Sequence, residues 1–191
     1  MYKFIGIIKA DYRYEYEPLP DNARLMVDRS KTIAIIAGFL GITVGYSLLL
    51  VKQYVLNNGE AVLNKPFILL GAVIGALLLL LHEFLHLIPY PENSTKIISI
   101  KGGTPSAFCS APVSKGAFIV SSLLPVLLGI IPMILFMLLP STYQVINTIL
   151  WTTGTIGLAS PANDYADALR CLINVPSKCK IQSGDDGFYY F

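Results

Sequence analysis

Residues 82–86 read His-Glu-Phe-Leu-His, and these are the two histidines of the chain. Four residues apart on a helix, His82 and His86 project from one face, one turn above the other. Two imidazole nitrogens so placed can reach one Zn²⁺ at about 2.0–2.1 Å. Glu83 stands beside them, where a carboxylate can take a proton from metal-held water without being a ligand itself. As a bare pattern, H-E-x-x-H occurs by chance in many soluble helices. Here it closes the leucine run 77–81, in an apolar stretch with no other ionisable group. A charged side chain at the centre of a lipid-spanning helix costs about 2.5–3.5 kcal/mol on insertion scales, so it is seldom idle. The bland alternative is a carboxylate at the membrane interface, facing headgroups.

A catalytic zinc takes three protein ligands and leaves a fourth position to water. With no third histidine, the next ligand must be a carboxylate or a thiolate. The stretch Ser160-Pro161-Ala162-Asn163-Asp164-Tyr165-Ala166-Asp167 offers Asp164, with Asp167 as its substitute; Cys109 is the next thiolate. The competing role for Asp164 is a helix cap or an interfacial acid paired with Arg170.

The elements that must position these residues look membranous. The chain is 54% hydrophobic and 14% charged, with mean hydropathy +0.61. Soluble domains carry about 25% charged residues. Roughly 20 apolar residues cross a bilayer, and four stretches approach that length: Thr32–Val51, Phe67–Ile88, Ala117–Leu139, and one from Val145 past Ala162. The expected fold is therefore an all-α membrane protein with four transmembrane helices. Residues 1–31 would form a cytoplasmic segment, 32–175 the transmembrane domain and 176–191 a cytoplasmic tail. The first stretch is not a signal peptide, because the 31 residues before it hold Asp11, Glu15, Glu17, Asp21 and Asp28.

Of the 14 lysines and arginines, only Lys52 and Lys65 lie between stretches one and two, which leaves 14 − 2 = 12 on the other side. That bias favours a multi-pass protein of the cell membrane with both termini cytoplasmic. Stretches two and four would then descend in the same direction. His82 lies 15 residues into its stretch and Asp164 19 into its own, or roughly 22 and 28 Å of helix rise. Both would reach similar depths near the cytoplasmic face.

Smaller signals suggest a cytoplasmic β element drawn from the N-terminus, residues 96–101 and the tail. Tyr12 to Glu17 alternates with period two, Lys96–Lys101 is a strand candidate closed by Gly102 and Gly103, and residues 180–191 read as strand, turn, strand. These pieces could form one sheet. The edge of KIISIK (96–101) could hold an extended peptide. Pro125 and Pro132 should bend the third stretch. Cys171 and Cys179 lack metal-site spacing, and on the cytoplasmic side a disulfide is not expected.

The HEFLH of stretch two, the following GGTPSAFCSAPVSKGAF (102–118) leading into a proline-containing span, and the acidic motif near the end of the last stretch carry a resemblance. From about residue 65 to 175 the chain resembles a family of small prokaryotic membrane zincin peptidases. It is also similar, distantly, to site-2 proteases. That second resemblance implies His82 and His86 as ligands, Glu83 as the catalytic base and Asp164 as the third ligand. The residues around Asp164 depart from the Pro-Asp-Gly or Leu-Asp-Gly of those proteases, which keeps Asp167 open.

The expected activity is hydrolysis of a peptide bond near the cytoplasmic membrane face by a Zn²⁺ metalloprotease. The alternative is a zinc-binding or metal-transport membrane protein without catalysis. A di-iron lipid enzyme needs more histidine clusters than two residues supply, and two histidines on one helix face cannot clasp opposite sides of a haem iron. Expected partners are membrane lipid and a peptide or membrane-protein substrate, and not nucleic acid.

Overall fold

A computed structural model describes residues 1–26 and 31–191. Residues 27–30, part of the expected cytoplasmic segment 1–31, lie outside the described residues. Six α-helices form: α1 (Lys31–Leu50), α2 (Ile68–His86), α3 (Lys115–Leu123), α4 (Leu127–Leu138), α5 (Gln144–Ala159) and α6 (Ala162–Asn174). A π-helical stretch extends α1 to Leu56, a 3₁₀ turn at Lys65–Phe67 precedes α2, and another at Leu124–Val126 joins α3 to α4. That second turn holds Pro125, so the expected break in stretch three falls there, while Pro132 stays inside α4. Among the described residues three helical stretches are long and apolar enough to cross a membrane: Lys31–Leu56, Lys65–His86 and Lys115–Leu138.

The all-α, four-span expectation is wrong. The chain is about 54% helical and 17% strand, with the strands in two sheets. The fourth stretch is split: α5 has 16 residues and ends before Ser160-Pro161, and α6 starts afresh at Ala162. A proline here lacks the N–H that would continue the α5 ladder. The sequence of α5 is also that of an interior helix. Its buried residues are Asn147, Thr148, Thr152, Thr153, Gly154 and Gly157.

Two compact units share the chain. One comprises Lys31–Leu79 and Pro125–Asn163, with α5 packed on α1 and α4. A Cβ on Gly157 would lie 2.6 Å from the Gly129 backbone nitrogen of α4, so the two helices meet backbone to backbone. Trp151 Nε1 donates to the Gly45 carbonyl of α1 at 2.8 Å, and Thr153 Oγ1 to the Gly71 carbonyl of α2 at 3.1 Å. In this unit Lys52 is only 2% exposed. Its Nζ donates to the Phe136 carbonyl, to the Leu139 carbonyl at 2.8 Å and to Asn147 Oδ1 at 2.7 Å, and lies 4.3 Å from the Phe136 ring centroid. The lysine thus caps the end of α4 from within.

The other unit comprises Met1–Ser30, Leu80–Leu124 and Asp164–Phe191. One sheet contains β1 (Tyr2–Ile8), β3 (Lys96–Lys101) and β4 (Thr104–Phe108) in the order β1-β3-β4. The second contains β2 (Arg24–Leu25), β5 (Val113–Ser114), β6 (Lys180–Gly184) and β7 (Gly187–Tyr190) in the order β2-β7-β6-β5. The expected strands at 96–101 and in the tail are present, but the pieces divide between two sheets. KIISIK is β3, whose two sides are taken by β1 and β4, so it offers no edge. Tyr12 to Glu17 is not a strand. Its alternation serves side-chain packing instead: Tyr14 stacks on Phe108 with centroids 4.3 Å apart, and its hydroxyl shares a 2.8 Å hydrogen bond with Ser99.

The opposite face of the first sheet, bearing Ile98 and Ala107, packs on Leu87, Cys109 and Ala111 just beyond α2. β1 carries a bulge on this face. Phe4 pairs with Ile98 and Ile7 with Ile100, so one extra residue sits on β1 between them. Gly6, at φ +79°, supplies the backbone that the bulge needs. Ile98 and Ile100 point the same way in a pleated strand. The bulge therefore turns Ile7 onto the face of Phe4 and Tyr2, where strict alternation would set it opposite.

Candidate metal centre

The last turns of α2 present His82, Glu83 and His86, and the first turn of α6 presents Asp164. An acid in the first turn suits the positive end of the helix dipole. His82 Nε2 lies 3.2 Å from Asp164 Oδ2, and His86 Nε2 lies 3.5 Å from Asp164 Oδ1. The two Nε2 atoms are 3.1 Å apart. Ligands of a tetrahedral zinc, each about 2.0–2.1 Å from the metal, stand about 3.3 Å from one another. The three separations bracket that value. Among the described residues this is the group of histidine, cysteine and acidic side chains with metal-holding geometry.

The protons fit as well. His86 Nδ1 lies 2.8 Å from the Ser121 carbonyl of α3, so Nδ1 carries the hydrogen and Nε2 presents its lone pair. Ser121 Oγ donates in turn to the His86 carbonyl at 2.6 Å. This second bond fixes the α2 backbone where the ring leaves it. His82 Nδ1 is buried with no hydrogen-bond partner among the described residues. Burial alone would raise the Asp164 carboxyl, but its contacts with the His82 and His86 rings outweigh burial and hold the group down at about 2. Two imidazole nitrogens and an ionised carboxylate are a donor set that zinc accepts.

Glu83 does not join the three. Its Oε2 accepts the Ala107 N–H of β4 at 2.7 Å. Ala107 therefore points its N–H away from β3, out of the edge of the sheet. Pro105, two residues back and of the same parity, has no N–H to lose at that edge.

The two aspartates offered by the sequence separate. Asp164 reaches the histidines, while Asp167, one turn on and buried, meets Arg170 Nη1 at 3.1 Å. The Cys109 thiol is buried against Leu87 and donates to Ser94 Oγ at 3.4 Å. Cys171 and Cys179 are free thiols. Sequence reasoning missed Ser121 and Ala107. Ala107 acts through its main-chain N–H, and Ser121 through its carbonyl and a hydroxyl that bonds a backbone carbonyl, so neither side chain gave a signal of metal chemistry.

A family model described as putative zincin peptidase, DUF3267, matches residues 75–180, a stretch that holds the HEFLH helix, β3 to β5 and Asp164. No curated protein and no solved structure matches the chain.

Proposed function

The chain belongs to that zincin peptidase family, and from this premise we propose that it is a membrane-embedded zinc metalloprotease that cuts a peptide bond near the cytoplasmic membrane face. The observation that carries the reading is the convergence of His82, His86 and Asp164 at ligand-to-ligand distance, with a carboxylate on the next residue. His82, His86 and Asp164 would hold the ion. Zinc bound there would supply Lewis-acid polarisation of a scissile carbonyl and a water acidic enough to act near neutral pH. Glu83 takes the proton from the attacking water and hands it to the leaving amine. Its hydrogen bond to Ala107 keeps the carboxylate from swinging onto the metal. β4, at the edge of its sheet and tied to Glu83, is the strand that an extended peptide would lengthen.

Three apolar helices support the membrane setting. The lysine and arginine bias supports cytoplasmic ends, and the pairing of β2 with β7 supports the two ends lying on one side.

Glu83→Gln tests the reading. It removes the base while leaving the three ligands. Turnover of a peptide substrate by purified protein should fall about 10²–10⁴-fold, the usual worth of general-base catalysis, with zinc content unchanged. A zinc carrier or transporter without catalysis predicts no peptide turnover in the wild type. Loss of zinc in Glu83→Gln would make Glu83 a ligand and remove the base from the mechanism.

A further inference from the structure

The outer strand β1 exposes large apolar side chains where a soluble sheet edge would carry charge. Tyr2 is 46% exposed, Phe4 68% and Ile7 79%. The bulge at Gly6 gathers all three onto one face. That face is also the α2 side of the sheet, because Tyr2 stacks on Phe84 with ring centroids 5.1 Å apart. Phe84 belongs to the last turns of α2, within the apolar stretch Lys65–His86. The stripe therefore begins beside the end of that apolar stretch. Residues 1–10 hold Lys3 and Lys9 and no acid, and both lysines are exposed.

We infer that Tyr2, Phe4 and Ile7 seat β1 in the headgroup–acyl boundary of the leaflet at which α2 ends, with anionic lipid as the counter-charge of Lys9 just beyond the strand. Aromatic and apolar side chains beside lysines are the composition that partitions to this layer. Seating hides a long apolar edge strand that would otherwise invite pairing with other chains. It also gives the bulge a purpose, since without it Ile7 would turn to the Tyr14 side of the sheet. The inference rests on α2 crossing the membrane and is independent of the zinc chemistry.

Single-tryptophan probes test it. In a Trp151→Phe background, tryptophan is placed by Phe4→Trp, Ile7→Trp, Glu15→Trp or Leu77→Trp. Leu77 is an exposed α2 residue. Glu15 lies with Lys3 and Ile97 on the other face of the sheet. Each protein is reconstituted in vesicles of phosphatidylglycerol and phosphatidylcholine brominated near the carboxyl end of the acyl chains. Phe4→Trp and Ile7→Trp should lose most of their emission, as Leu77→Trp does, while Glu15→Trp stays bright. Bright emission at 4 and 7 with quenching at 77 overturns the inference and leaves the membrane reading standing. Bright emission at all four positions overturns both. Blue-shifted but unquenched emission at 4 and 7, with an Ile7→Cys dimer forming on oxidation, assigns the stripe to a second copy of the chain and overturns the seating. Should Trp151→Phe fail to fold, the same probes are read with Trp151 present, as the difference in quenching from wild type.

Discussion

Two buried polar clusters in this protein have opposite hydrogen budgets. Around Lys52, an ammonium with three N–H groups meets three acceptors, the Phe136 and Leu139 carbonyls and Asn147 Oδ1. Each donor has a partner, and the cluster needs nothing from outside. Around Asp164, two imidazole nitrogens and a carboxylate crowd within 3.1–3.5 Å. The Nδ1 hydrogen of His86 is already committed to Ser121, and His82 Nδ1 has no partner among the described residues. The acceptors there outnumber the hydrogens: His82 has one N–H to offer, against the His86 Nε2 lone pair and two carboxylate oxygens. A metal cation can take a lone pair from each of the three residues at once. The lesson is to count hydrogens before assigning a buried polar group to structure or to chemistry.

The comparison breaks most sharply at the histidines. His82→Ala with His86→Ala should abolish zinc binding, measured as metal per purified chain, and with it all peptide turnover. Full zinc occupancy in that double variant would sink the site. Next in size is the choice of carboxylate. Asp164→Ala should weaken zinc retention against a chelator by more than the 10–100-fold typical of losing an outer-shell partner, whereas Asp167→Ala should retain zinc, its carboxylate being engaged by Arg170. Equal retention in the two would send the third ligand elsewhere. On the structural side, Lys52→Met leaves three acceptors without their donor. It should cost on the order of 3 kcal/mol in denaturant melts in detergent, with zinc per folded chain unchanged. Asn147→Ala keeps the lysine and two of its acceptors, and should cost less, about 1–2 kcal/mol by the same measurement. Zinc loss in either variant would erase the distinction between the clusters.

The site was easier to read in the sequence than the fold around it. His82, Glu83 and His86 share a helix, so spacing alone sets their geometry. Asp164 came from a depth argument across 78 residues of chain (164 − 86), and its carboxylate does lie beside both rings. A helix rise counted from 145 to 164 requires one continuous helix, yet the chain breaks at Ser160-Pro161. Hydropathy averaged over Val145 to Ala162 hid the threonines and glycines that make α5 an interior helix. The β element was legible where it is local, as in the β6–β7 hairpin. It failed where pairing is distant, because β1 lies parallel to β3 nearly a hundred residues away and no turn residue announces such a partner. Tyr12 to Glu17 shows the converse: period-two alternation marks an extended chain, but a ladder needs a neighbour.

The dependence of His86 and Glu83 on main-chain groups bears on how this protein will look in a mutational scan. Ser121→Ala keeps the carbonyl that orients the His86 ring, and almost any residue at 107 keeps the N–H that holds Glu83. Such a scan would score position 107 as tolerant, and a drifting lineage could change its side chain without touching the chemistry, whereas Ser121→Ala loses the Oγ bond to the His86 carbonyl. Proline at 107 is the exception. The edge of β4 already accommodates Pro105 in the same orientation, so Ala107→Pro deletes a single hydrogen from the neighbourhood of Glu83 and leaves the strand in place.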